Sequence, residues 1–477
     1  MAEAGNMRAL IRRSLSILAG RDLGLLALTL VLAALAGCAS SREKQSFDDY
    51  YQVESSTYPG EEEVSAAAPE PRIDADATLG DYLVYAALHN PGLEAAFNEW
   101  KAALEKIPQV RALPDPRFTY VYYIESVETR VGPQEQSFAL VQTFPWLPKL
   151  QRRGDVAFEA SEAAREKYEA EKLMLFYRVK HAYYEYYYLD RSIEVTESNI
   201  GLVSNLEAVA RGKFQAGGLP YAAVVKAQVE LGKLDDQLMT LEDLRGPVAA
   251  KLNTALGRAP DSYLPEPGPV DMEEVVLADD EILGVLRERN PELLALGFMT
   301  AREEAAMSLA KHSYVPDITL GARIIQTGEA LDPTMTDSGK DAVMATLSLN
   351  LPIWFGKYRA AQKEAQARHH ASSKRLEDRE NQLLTDLKMA LYHFRSAERR
   401  IDLYGDSLIP KAEQSVAASQ RAFSAGQVDF FDLIEAQRTL LEFQLSYERA
   451  LADRAQNLAE IEMLTGQEVV HLQPGAD

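Results

Sequence analysis

The 477-residue sequence contains one thiol, Cys38, and the residues ahead of it define what that thiol can do. Residues 1–37 hold Arg8, Arg12, Arg13 and Arg21, then the apolar run Leu23 to Leu35, then Ala36 and Gly37. A basic segment, an apolar stretch of about a dozen residues and small residues at a cut mark a secretory signal peptide. The stretch is short for a membrane-spanning helix, which needs roughly 20 apolar residues. A thiol placed first after such a cut is open to acylation; the plainer reading is a Cys left behind an ordinary signal. One Cys also excludes an internal disulfide framework and a thiolate-only metal site. His369-His370, with His393 elsewhere, could hint at metal, but seven scattered histidines without a ligand cluster read as surface or seam residues. The sequence shows no phosphate-cradling loop, nucleophile elbow or paired catalytic carboxylates, so no enzyme activity, cofactor or metal is expected. A formal charge of −22 argues against a nucleic-acid partner, which needs a basic face.

Leu35-Ala36-Gly37-Cys38 resembles a bacterial lipobox. The resemblance implies a mature chain that starts at lipidated Cys38, anchored by acyl chains worth about 0.8 kcal/mol per buried methylene. Residues 38–77 include Glu61-Glu62-Glu63, Ala66-Ala67-Ala68 and Pro69-Glu70-Pro71, and read as an extended, lipid-anchored tether without a core.

The elements that position everything else are written twice. Asn90-Pro91 recurs as Asn290-Pro291, Pro114-Asp115 as Pro316-Asp317, and Phe144-Pro145-Trp146 is echoed by Leu351-Pro352-Ile353-Trp354. From there one offset of 209 holds: Phe214 with Phe423, Gly217 with Gly426, Ala227-Gln228 with Ala436-Gln437, Gly257 with Gly466. The two units run over 78–257 and 280–467, joined by a linker at 258–279 and followed by a tail at 468–477. Each reads helix, two strands, very long helix, long helix, with first helices at about 80–108 and 280–312. Residues 155–213 are rich in Ala, Glu, Lys, Leu and Tyr, and a 60-residue helix is about 90 Å long. Its counterpart covers about 357–424. In the returning helices Val224, Ala227, Leu231, Leu234, Leu238 and Leu241 alternate spacings of three and four, a coiled-coil seam. Leu433, Ala436, Leu440, Phe443, Tyr447 and Ala450 repeat it, and Arg245 and Arg454 interrupt both at the same place. Gly201 and Pro410, each 13 residues before the paired Phe, predict a bend in each long helix. Tyr183, Tyr184, Tyr186, Tyr187 and Tyr188 surround a helix too completely for one stripe and read as inter-helix packing rather than a ligand cage.

The strands alternate in a way that suits a membrane barrel. Val343, Ala345, Leu347, Leu349 and Leu351 face one side, and Met344, Thr346, Ser348 and Asn350 the other. Phe118, Tyr120, Tyr122 and Ile124 do the same at about 116–130, with a partner strand at about 134–146. Segments of about 10 residues with this pattern fit a transmembrane barrel. Four strands cannot close one, so several copies must combine. A small sheet packed on helices is the plainer alternative.

A twice-repeated unit of two strands and two very long helices behind a lipid anchor resembles the TolC family of outer-membrane efflux proteins. The stretch Phe423-Ser-Ala-Gly426-Gln-Val-Asp429-Phe-Phe-Asp432-Leu-Ile-Glu435-Ala-Gln437 is similar to that family's second helical hairpin, and Phe214-Gln-Ala-Gly217-Gly-Leu219 to its first. The resemblance implies a mainly α-helical chain with four transmembrane strands. As a homotrimer it would close a 12-strand β-barrel in the outer membrane, continued by a helical tunnel across the periplasm. It implies a passive duct for an inner-membrane pump, reached through a periplasmic adaptor, with outer-membrane lipid as surroundings. Asp432 and Glu435 align with acids that narrow the periplasmic mouth; in a trimer they would form carboxylate rings that favour cations. Read without the family, two acids near a helix start serve its dipole.

Gly217, Gly218 and Gly426 fit turns needing positive φ or close approach, and Leu219 and Val428 would be adaptor contacts at the tips, or simply close the hairpins. Val428 and Ala223 stand where some members carry a salt-bridge latch, so packing is expected to hold the mouth. Phe144-Pro145-Trp146-Leu-Pro148-Lys149 and Ile353-Trp354-Phe355-Gly356-Lys357 place aromatics and a cation at the inner membrane interface, a phrase that also resembles heavy-metal efflux members. The lipid anchor leans toward resistance-nodulation-division pumps. A channel for type I protein secretion and a lipoprotein coiled-coil scaffold without a pore stay open as alternatives.

Overall fold

The computed structural model describes residues 41–57, 72–268, 275, 278–332 and 334–468. The signal peptide 1–37, Cys38, the tether at 58–71, most of the linker beyond 268 and the tail beyond 468 lie outside the described residues. Helix α1 is Ser41–Thr57. The first repeat holds α2 Leu79–His89, α3 Pro91–Leu104, α4 Lys106–Arg111, β1 Arg117–Thr129, β2 Gly132–Phe144, α5 Leu147–Gln215 and α6 Tyr221–Ala255. The second holds α7 Asp279–Arg289, α8 Pro291–His312, β3 Ile318–Thr327, β4 Ala342–Leu349, α9 Phe355–Asp402, a π-helical turn Leu403–Leu408, α10 Ile409–Ser424 and α11 Phe430–Thr465.

Helix α1 corrects the reading of 38–77 as extended throughout. Between Ser41 and Thr57 there is no Gly or Pro, and Glu43, Lys44, Gln45 and Gln52 lose little freedom in a helix. Ser46 Oγ donates to Arg42 O at 3.2 Å, and the Tyr50 hydroxyl donates to Glu54 one turn on.

The opening helix of each repeat is not one rod. Proline at 91 and 291 starts a new helix, because it lacks the N–H that would continue the old one. Asn90 Oδ1 accepts from the Gly92 and Leu93 amides (2.9 and 3.1 Å), while Asn290 Oδ1 accepts from Leu293 N (3.0 Å). The same side chains reach the end of each returning helix: Asn90 Nδ2 donates to Ala255 O (3.1 Å) and Asn290 Nδ2 to Leu464 O (2.9 Å). Close beside them, a Cβ on Gly466 would stand 2.6 Å from Arg289 O. Each Asn-Pro thus welds the start of its repeat to the end.

Helix α5 runs unbroken through Gly201 for 69 residues. The bend expected there is absent as a break in hydrogen bonding, whereas the second rod does carry a π-helical turn directly before Pro410. The difference follows from chemistry: glycine keeps its amide, and proline does not. Tyr183, Tyr186 and Tyr187 are buried between helices, and Tyr82 meets Tyr183 edge-on at 5.3 Å. The seam positions Val224, Ala227 and Leu234 are buried, Leu231, Leu238 and Leu241 half-buried. Arg245 reaches Asp190 on α5 at 3.0 Å, and Arg454 reaches Glu398 on α9 at 3.3 Å, so the matched interruptions of the seam are matched ion pairs.

The described strands form one antiparallel sheet in the order β1-β2-β3-β4, which leaves β1 and β4 as free edges. Its register aligns Tyr120, Phe138, Ile324 and Val343 in one row and Phe118, Leu140, Ala322 and Ala345 in the next. These rows make an exposed apolar face, with Phe118 at 65% and Val343 at 74%. The opposite face is smaller and more polar; Ser137 and Ala139 are buried there, and Thr143 and Thr319 share a 3.0 Å hydrogen bond. Where sheet meets helix, Lys149 Nζ donates to Asp317 Oδ1 at 2.8 Å, and Trp146 N–H donates to the same oxygen at 3.2 Å. The interfacial cation is therefore paired, and it pins α5 to the start of β3. No described helix is long and apolar enough to cross a membrane.

Candidate functional site

The candidate residues gather at two turns, one between α5 and α6 and the other between α10 and α11. The turns match to the hydrogen bond. Gly218 N–H donates to Lys213 O (2.8 Å) and Gly217 N–H to Phe214 O (2.9 Å); Gln427 N–H donates to Ala422 O (2.9 Å) and Gly426 N–H to Phe423 O (3.1 Å). Gly217 and Gly426 both have φ +74°. A Cβ on either would touch nothing within 4 Å, so the turn requires glycine's backbone rather than its small size. Gly218 has no positive φ, so of the two reasons for glycine only close approach of a partner backbone is left for it. Its amide closes the turn, a task open to any residue but proline.

Leu219 and Val428 are half-buried on one core that both hairpins share, with Val203, Val224, Leu234, Phe430 and Leu433 inside it. The aromatic pairs at the tips also repeat. Phe214 meets Tyr221 at 5.2 Å and Phe423 meets Phe430 at 5.4 Å. Their surroundings differ: Phe423 is buried, and Phe214 is 40% exposed. Lys213 explains the first, since its Nζ donates to Phe423 O at 3.0 Å and stands 4.2 Å over that ring.

Asp432 lies in the first turn of α11 and Glu435 one turn later, both exposed. Glu435 comes within 3.5 Å of Arg438 Nη1. The rest of that guanidinium belongs to Glu230 on α6: Nε donates to Oε1 at 2.7 Å, and Nη2 donates to Oε2. Glu230 is buried, and its hydrogen bonds from Arg438 hold the carboxyl below the usual glutamate range. Packing was the expected fastening between hairpins, with Val428 and Ala223 in place of charges. Both do sit at the shared core, but an ion pair two turns away joins the hairpins as well. Sequence reading missed it because Glu230 lies among several acids and lysines of α6 with no cue to which partner faces it. The nearest signal was Gln437: the repeat-matched glutamines Gln228 and Gln437 both point at α5, where they bond Glu207 (2.9 Å) and Asn199 (3.2 Å).

Among the described residues no three His, Cys, Asp or Glu side chains gather in a way that could hold a metal ion. The site is a pair of pinned hairpin tips, and the second bears the exposed carboxylates Asp432 and Glu435.

A family model described as outer membrane efflux protein matches residues 83–258 and 282–467, the two repeats. The cobalt-zinc-cadmium resistance protein CzcC of Cupriavidus metallidurans is 21% identical over 400 residues, covering 82% of this chain and 90% of its own. Among solved structures, the outer membrane protein VceC of Vibrio cholerae superposes with a TM-score of 0.68 at 18% identity, covering 82% of this chain and 96% of VceC. The open state of the MtrE outer membrane channel of Neisseria gonorrhoeae gives 0.65 at 16% identity, covering 82% and 89%.

Proposed function

Because the chain belongs to the outer membrane efflux protein family, we propose that three copies close their sheets into a 12-stranded barrel and their helices into a periplasmic tunnel. The trimer is a passive export duct. The observation that carries this reading is the sheet itself: it exposes an apolar face on all four strands and ends in two unpaired edges. Water penalises both, whereas a closed barrel in lipid satisfies both. Acylation of Cys38 adds an anchor to the outer membrane, and α1 forms part of the segment that follows it.

The hairpin tips are the end that meets other proteins. Gly217, Gly218, Leu219, Gly426 and Val428 make the surface for a periplasmic adaptor's own hairpin, which links the duct to an inner-membrane pump of the resistance-nodulation-division type. Three copies of Asp432 and Glu435 ring the mouth and enrich cations there. Energy and cargo selection rest with the pump. Light scattering of the detergent-solubilised full chain tests the assembly: the mass of three copies is expected, and a monomer would sink the reading.

A further inference from the structure

The internal repeat carries enough information to set the seam between copies. Shifting β1 by 202 residues and β2 by 207 maps Arg117 opposite Val141 onto Thr319 opposite Ser348, which is the register observed between β3 and β4. Both hairpins therefore share one geometry under these two shifts. The same shifts apply to the pairing between repeats, where β2 meets β3 with Gln142 opposite Leu320. Moving β2 forward and β3 back places Leu349 of β4 opposite Phe118 of a second copy.

Resting on the trimeric reading above, we propose that β4 of one copy pairs with β1 of the next in this register, locked by a salt bridge from Lys357 to Asp115 of the neighbouring copy. Within one chain, Lys149 and Asp317 form that lock at the β2–β3 junction. Asp115 is the repeat equivalent of Asp317 at the shift of 202, and Lys357 that of Lys149 at 208, one more than the β2 shift because Ile353 is inserted between Pro352 and Trp354. Both are exposed here, Asp115 just ahead of one free edge and Lys357 just past the other, with opposite charge. Trp354 N–H, the counterpart of Trp146 N–H, reaches the same carboxylate.

The register also matches the faces. Leu349 meets Phe118, Leu347 meets Tyr120, Ala345 meets Tyr122 and Val343 meets Ile124, which extends the apolar face around the barrel. On the inner face Ser348 meets Thr119. A slip of one residue would put each apolar side chain on the wrong face. A slip of two keeps the faces but moves Lys357 from Asp115 by about 7 Å, beyond ion-pair reach.

Paired cysteines in the full chain test this, with the wild type, whose single thiol is Cys38, as the blank. After oxidation, Ser348→Cys with Thr119→Cys is expected to give ladders of linked copies, and Ser348→Cys with Val121→Cys to give the smaller share. Stronger linking by the Val121 pair in a protein that is still trimeric overturns the register alone. A protein that is monomeric in detergent and links through neither pair overturns the trimer together with it. In a second measurement, Asp115→Lys or Lys357→Asp alone is expected to reduce the SDS-resistant trimer, and the double swap to restore it. Single variants that leave the trimer intact, or a double swap no better than either single, overturn the salt bridge.

Discussion

Glu230 on α6 and Arg438 on α11 form a two-point ion pair between the returning helices of the two repeats, with the Glu230 side chain only 8% exposed and Arg438 41% exposed. The pair fastens one hairpin tip to the other at the level where Glu435 faces solvent.

Removing one partner of such a pair leaves the other unsatisfied, at a cost of about 1–3 kcal/mol. Arg438→Met leaves the buried carboxylate with only Lys233, 3.8 Å away, and is expected to loosen both tips more than Glu230→Gln, which keeps a neutral acceptor. Hydrogen exchange of peptides spanning 205–230 and 420–440 reads this directly. Equal protection in wild type and Arg438→Met would show that apolar packing alone holds the tips.

Acid should have the same effect. Arg438 holds the Glu230 carboxyl below its ordinary value of 4.5. A carboxylate with a depressed folded value contributes its full stability at neutral pH and loses it as pH falls through that value. Tip exchange is therefore expected to rise as pH drops below about 4.5, and Glu230→Gln to flatten that dependence. An identical pH profile in the variant would assign the acid sensitivity to other carboxylates.

Asp432 and Glu435 are both exposed, but Glu435 is partly offset by Arg438 at 3.5 Å. In planar bilayers, Asp432→Ala with Glu435→Ala is expected to raise conductance and lower cation selectivity, and Asp432→Ala alone to account for most of the change. An unaltered reversal potential in the double variant would remove the carboxylate rings from the mechanism.

Two left-handed glycines separate strain from space. Gly217→Ala meets no neighbouring atom and carries only the backbone penalty, about 1–2 kcal/mol. Gly466→Ala adds a clash, because its Cβ would lie 2.6 Å from Arg289 O. Thermal unfolding should therefore show the larger loss for Gly466→Ala. Gly217→Trp, in contrast, is expected to impair resistance in cells while the trimer still assembles, and a failure to assemble would make the turn purely structural.

The repeat made much of this fold legible. Period-two alternation in Val343 to Leu351 and the matched Phe214 and Phe423 located the strands and tips, since such patterns depend only on neighbours in sequence. Helix breaks were harder, because Gly201 and Pro410 look equivalent by position and differ in whether an amide remains. Ser41–Thr57 hid its helix behind a tether-like composition on its C-terminal side. The ion pairs were least accessible: Glu230–Arg438 and Lys149–Asp317 each join residues more than 160 positions apart. Charge sign alone does not select a partner across such a distance. Once Lys149–Asp317 is known, the repeat assigns a partner to Asp115 and Lys357 as well.

Conductance of the purified full-length protein in planar lipid bilayers tests the duct most directly. A trimer with steady, cation-preferring conductance that needs no added energy source is the expected result. A trimer that never conducts, at any voltage the bilayer withstands, would contradict the duct and leave a coiled-coil scaffold in its place.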